Sequence, residues 1–142
     1  MAYWLIKSDP DKMSFADLAD EGYKGYEWSG VREEDAFDHF AAMQPRDLAF
    51  FYHTGDQNRF YGIVRILGAA HPDSTDDTGQ WLSTDIAVFL RLISRVPLSS
   101  VKQQGKWAEF AQRVESEPSI QPVSLEEWTA ICQMADMPKI PE

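Results

Sequence analysis

Within "WSGVR" (28–32), Trp28 and Arg32 flank a flexible Ser-Gly pair, just ahead of the acidic run "EEDAFD" (33–38). A tryptophan in such a loop has two uses. It can fill a core, as most tryptophans do, or it can offer its face to a flat ligand, where stacking one base contributes about 1–3 kcal/mol. Gly30 permits close approach by a ligand, and Val31 follows it at the same bend. Arg32 presents a planar fork of donors that suits a ligand oxygen, a phosphate or one of the carboxylates after it.

Three other places supply polar groups that a flat ligand would need. Lys7 and Ser8, at the end of an apolar run, offer donors to a base carbonyl; a turn hydroxyl and a snorkelling lysine have the same appearance. Tyr52 and His53 close a second run, and strand alternation sends them to opposite faces, so only one of them lines a given surface. Ser119 and Gln121 are expected on one side of an extended segment stiffened by Pro122. A glutamine amide there has the donor and the acceptor that a pyrimidine edge requires. The single cysteine, Cys132, excludes an internal disulfide and a cysteine metal cluster. His39, His53 and His71 show no ligand spacing, so no metal or cofactor is expected.

The elements that must position these residues read as strands interleaved with short helices. "YWLIK" (3–7) is a strand ended by the turn at Pro10, and Ser14 with Asp17 opens a short helix. A helix from Glu33 to Met43 carries Ala36, Phe37, Phe40 and Met43 on one face. Residues 47–53 and 59–67 form a hairpin, with Leu48, Phe50 and Tyr52 opposite Ala49, Phe51 and His53. Residues 71–80 read as a mobile polar loop. The longest strand spans 81–95 with Ile86, Val88, Leu90 and Leu92 inward, and Pro97 stops it. Short helices follow from Ser99 or Ser100 and over 106–115. The stretch 118–123 is extended, and Ser124 with Glu127 caps a last helix that buries Leu125, Trp128, Ile131 and Cys132. One α+β domain over 1–135 is expected, with a frayed tail at 136–142.

The 142-residue chain carries a formal charge of −10, which argues against a broad nucleic-acid clamp. Its charge is uneven: residues 1–40 hold ten acids against four bases, whereas 86–108 hold Arg91, Arg95, Lys102 and Lys106 without an acid. Those four form a solvated face or a local docking patch. There is no membrane-length apolar run and no signal-peptide pattern at the start, so a cytoplasmic location is expected.

"YWLIKSDP" (3–10), "WSGVR", "RDLAFFYH" (46–53), "YGIVRI" (61–66) and "SIQPVSLEEWTAI" (119–131) occur in the order seen in the EVE domain family, and the chain resembles that family from Tyr3 to Ile131. The resemblance implies a PUA-like pseudo-barrel whose pocket receives one modified base, modified cytosine in particular, in DNA or RNA. It carries binding roles onto Lys7, Ser8, Trp28, Gly30, Val31, Arg32, Tyr52, His53, Ser119 and Gln121. The chain departs from the family pattern at Asp9, where a glutamate is usual, and in the acidic runs at 33–38 and 115–118, so only weak contact with the phosphate backbone is expected. Two other readings stand beside it. Lys7, Asp9 and His53 would serve an amidohydrolase like those among ASCH-type relatives, although no G-x-S-x-G, phosphate-cradling loop or Cys-His pair accompanies them. The acidic helix at 33–43 would serve a protein-interaction module.

Overall fold

The computed structural model describes residues 1–116 and 118–142; of the acidic run before Ser119, Glu117 lies outside the described residues. Strand β1 (Tyr3–Ser8) is followed by helix α1 (Phe15–Asp20), a 3-10 turn (Gly22–Lys24), the short β2 (Tyr26–Glu27) and α2 (Glu34–Ala42). Then come β3 (Leu48–His53), β4 (Arg59–Ile66), β5 (His71–Pro72), β6 (Leu82–Ser83) and the long β7 (Asp85–Pro97). Helices α3 (Leu98–Lys102) and α4 (Ala108–Ser116), strand β8 (Ile120–Val123) and helix α5 (Leu125–Met134) complete the chain. Six strands form one sheet in the order β2-β7-β4-β3-β1-β8, in which only β1 and β3 run parallel. Pro122 is confined to the edge strand β8, where the amide it lacks is not required by a further neighbour.

Alternation along β1 and β3 builds a core on each side of this sheet. Tyr3, Leu5, Leu48, Phe50 and Tyr52 face one core, whose centre is Trp128 of α5, stacked on Phe50 at 4.0 Å and on Tyr3 at 4.5 Å. Trp4, Ile6, Ala49 and Phe51 face the other, which is closed by Phe15 of α1, Ala36 and Phe40 of α2, and Trp28. Irregular pairing curls the sheet towards a half-barrel. At Gly62 the approach of α1 is so close that an added Cβ would lie 2.2 Å from the Phe15 ring. Fold class and architecture are therefore the expected α+β pseudo-barrel.

Several local expectations are corrected. Strand β7 does not bury one continuous face: opposite Ile63 and Val64 of β4 stand Leu90 and Val88, so Phe89 is an extra residue. That bulge sends Ile86 and Val88 to one core and Leu90 and Leu92 to the other. Phe37 and Leu125 turn to solvent rather than inward. The third short helix begins at Leu98 directly after Pro97, not at a serine. The final residues do not hang loose, because Ile140 packs on the Trp128 core and the Trp128 indole N–H donates to the Pro141 carbonyl at 3.1 Å. Among the described residues no helix is long and apolar enough to cross a membrane.

Candidate functional site

The segment after β2 leaves the sheet at Trp28, whose backbone N–H donates to the Thr84 carbonyl at 2.8 Å. Gly30 then turns with φ of 85°, a conformation that side-chain-bearing residues rarely adopt. Its N–H donates to Asp73 Oδ2 at 2.8 Å, and Arg32 Nη1 donates to the same oxygen at 3.0 Å. The Asp73 side chain is fully enclosed. Burial alone would raise its pKa, but hydrogen bonds from Thr75, the Gly30 amide and Arg32 outweigh that and hold the carboxyl well below the usual carboxylate range. The loop at 71–80, expected to be mobile, thus provides the anchor of this segment. Arg32 pairs with a carboxylate 41 residues away rather than with the acids that follow it.

This anchored segment forms one wall of a cleft of about 510 Å³, within the range of small-molecule sites. Lys7, Ser8, Trp28, Gly30, Val31, Arg32 and Ser119, all singled out in the sequence, line it together with Asp9, Lys12, Met13, Tyr26, Ser29 and Glu33. Trp28 has both of the roles its sequence context allows. It is 8% exposed, meets Phe51 edge-on at 5.5 Å and Tyr26 at 6.2 Å, and closes the cleft with its remaining surface. Opposite it, the turn after β1 is rigid. Lys12 and Met13 donate backbone N–H groups to the Asp9 carbonyl, Asp11 N–H donates to Asp9 Oδ1, and the Ser8 hydroxyl donates to the Met13 carbonyl at 2.6 Å. Glu33 completes the frame by accepting from both the amide and the hydroxyl of Ser119.

Three of the expected site residues are not in the cleft. Tyr52 is buried in the Trp128 core, where burial pushes its phenol well above the usual value and its hydroxyl donates to Asn58 Oδ1 at 3.3 Å. Gln121 does not share a side with Ser119, because β8 begins only at Ile120 and Ser119 sits in the bend before it. The Gln121 amide donates instead to the carbonyls of Pro118 and Arg113, at 2.9 and 3.2 Å. His53 is 3% exposed on the α1 side, stacked on Tyr61 at 3.7 Å. Its Nε2 accepts from the Phe15 N–H at 3.0 Å, so the proton resides on Nδ1 and is donated to Gln57 Oε1 at 2.9 Å. Burial lowers its pKa, as does nearby Arg95, against the raising effect of Gln57.

Lys7 and Asp9 both line the cleft, but His53 of the expected hydrolytic trio borders a different recess. Lys7 leaves β1 on the face opposite His53 and its amine donates to the Val114 carbonyl of α4 at 2.8 Å. The four basic residues of 86–108 separate as well. Arg91 and Arg95 border a recess beside His53, whereas Lys102 pairs with Glu115 at 2.7 Å and Lys106 lies over Trp107 on the helical side. Of the residues that sequence spacing did not single out for the site, Asp73 and Glu33 are the two that hold its walls in place. No periodicity links Asp73 to Gly30; its only local mark is the Asp-Ser-Thr turn, in which Thr75 N–H and hydroxyl both return to Oδ1.

A curled mixed sheet with a half-open cleft at the ends of its strands defines a PUA-like module. Within that class the chain belongs to the EVE domain family, whose sequence model matches residues 2–134. Thymocyte nuclear protein 1 of Mus musculus is 28% identical over 94% of this chain and 74% of its own length. Rpa0253 of Rhodopseudomonas palustris is 37% identical and superposes with a TM-score of 0.90 over 98% of this chain and 96% of its own. Human THYN1, solved in complex with 5-methylcytosine-containing DNA, superposes with a TM-score of 0.86 at 24% identity over 99% of this chain and 100% of its own, a likeness of fold.

Proposed function

We propose that the cleft beside Trp28 receives a single modified base, with methylated cytosine the first candidate, and that the protein binds it without chemical conversion. The observation that carries this reading is the cleft itself: an aromatic wall at Trp28, and polar groups held rigidly around it by Asp73, Glu33 and the Ser8–Met13 turn. A base inserted there would have to leave its stack first if the nucleic acid were duplex, and a mismatched or already unpaired base lowers that cost. The DNA complex of human THYN1, a protein of the same fold, supports the choice of ligand.

Reading of the base edge falls to the turn after β1 rather than to Gln121. Asp9 uses one carboxylate oxygen for Asp11 N–H and lines the cleft, and a carboxylate is the natural acceptor for the exocyclic amino group of cytosine. Titration with a panel of nucleosides tests the proposal: 5-methylcytosine, cytosine, thymine and methylated adenine, each recovered and weighed by mass spectrometry. Binding of 5-methylcytosine above the others, with every ligand recovered unchanged, supports it. Equal affinity for all four, or a ligand of altered mass, refutes it.

A further inference from the structure

On the other side of the Ser8–Met13 turn lies the second recess, of about 270 Å³, beneath α1 and along β7. Asp9 and Lys12 of that turn face the base cleft, while Pro10 and Asp11 face this recess, so one rigid segment divides the two. Arg91 and Arg95 stand four residues apart on β7, a spacing that puts both on one face of a strand. Arg91 is paired across the sheet with Gly62, and the missing side chain there leaves room for Phe15 of α1. Arg95 lies over the Tyr61 ring at 4.6 Å, and Tyr61 in turn stacks on His53.

The balance of charge here is opposite to that of the whole chain. Among the described residues neither arginine is in an ion pair, and Asp11 is the one carboxylate on the recess rim. His53 adds neither charge nor a donor, since its Nε2 is an acceptor and its Nδ1–H is taken by Gln57. The charged donors presented to a ligand are therefore the two guanidinium groups, whose planar forks fit the oxygens of a phosphate. A protein with a formal charge of −10 has every reason to confine such a site to one place, because its general surface repels a nucleic acid.

We propose that the Arg91–Arg95 recess is a phosphodiester subsite, holding the backbone of the strand whose base enters the neighbouring cleft. This rests on the base-binding reading for its ligand, and it divides the labour: the cleft selects the base, and the recess across the turn fixes the strand. Lys102 and Lys106, on the other layer of the sheet, take no part.

The test compares wild-type protein with the double variant Arg91→Gln/Arg95→Gln, its fold checked by thermal melting. Four ligands are titrated: the 5-methylcytosine nucleoside, a single-stranded oligonucleotide with one central 5-methylcytosine, the same strand unmethylated, and inorganic phosphate. Nucleoside affinity should stay within about twofold, while oligonucleotide affinity falls about tenfold or more at low salt. The salt dependence should become shallower by about 0.7 for each phosphate of a single strand that the variant no longer neutralises. An unchanged oligonucleotide affinity and salt slope would overturn the subsite, as would a loss as large for the nucleoside as for the oligonucleotide. Saturation by inorganic phosphate with no arginine dependence of oligonucleotide binding would also overturn it, in favour of a free-phosphate site. Failure of the base reading looks different: wild-type protein would then ignore the nucleoside, yet bind methylated and unmethylated oligonucleotides equally with the same dependence on Arg91 and Arg95.

Discussion

Asp73 Oδ2 lies 3.0 Å from Arg32 Nη1, and the same oxygen accepts the Gly30 N–H at 2.8 Å. One enclosed carboxylate thus fixes the wall of the cleft from outside it. Replacing Asp73 by alanine would strand the Gly30 and Thr75 amides and release Arg32. The expected loss in urea unfolding is about 1.5–3 kcal/mol, the range for hydrogen bonds to a charged group, and nucleoside affinity should fall with it. Because the Asp73 pKa is lowered on folding, its contribution is present at neutral pH and lost as pH falls through that depressed value. In the alanine variant this part of the acid dependence should be missing.

The two buried or bridged histidines should titrate on opposite sides of the ordinary value. His71 is raised by its hydrogen bond with Asp85 at 3.0 Å, by the Pro72 carbonyl and by Glu27. A raised pKa gives stability that is complete below the unfolded value near 6.5 and is lost as pH climbs through the folded one. His53, lowered mainly by burial, contributes in the reverse sense: its share is present above the unfolded value and lost as pH falls. Ring-proton NMR across about pH 5 to 8 should show His71 titrating late and His53 early. His71→Gln should remove the decline in melting temperature on the alkaline side.

Trp28→Ala cannot separate binding from folding, because the ring is 8% exposed and belongs to the α1–α2 core. Its truncation should cost about 3–5 kcal/mol. Trp28→Phe keeps an aromatic wall in contact with Phe51 and should melt cooperatively, while the smaller ring weakens base stacking. Nucleoside titration of a fully folded Trp28→Phe should therefore show a several-fold loss, within the range that stacking contributes, about 1–3 kcal/mol.

Strand β3 was legible because alternation is a local rule: Leu48, Phe50 and Tyr52 face one core and Ala49 and Phe51 the other, as expected. Both capping boxes were legible for the same reason, since Ser14 with Asp17 and Ser124 with Glu127 are contained in a single turn. The misses that mattered for the site depended on a shift of register or on distant partners. A one-residue bulge at Phe89 redistributed the apolar face of β7, and a strand that starts at Ile120 separated Gln121 from Ser119. Seven of the ten residues expected at the site line the cleft, all of them at strand ends or in the Trp28 loop. The support given by Asp73 was hidden because nothing local in "HPDST" names a partner more than forty residues earlier.

Gln121 should behave as a structural residue. Its amide ties the Pro118 and Arg113 carbonyls, so Gln121→Ala should lower stability by about 1–2 kcal/mol at typical net hydrogen-bond values. The order of preference among nucleosides should not change. Asp9→Asn should do the opposite, leaving the melt nearly intact and reducing the preference for cytosine over thymine bases, as a nucleoside panel would show.

The most direct measurement is a 15N-correlated NMR titration of the intact protein with an oligonucleotide carrying one 5-methylcytosine, set beside the same strand unmethylated. The methylated strand is expected to shift the Trp28 indole and the amides of Ser29, Val31 and Ser119, at concentrations where the unmethylated strand leaves them unmoved. Identical shifts from both strands, or shifts that bypass the Trp28 cleft, would contradict a base-reading site there.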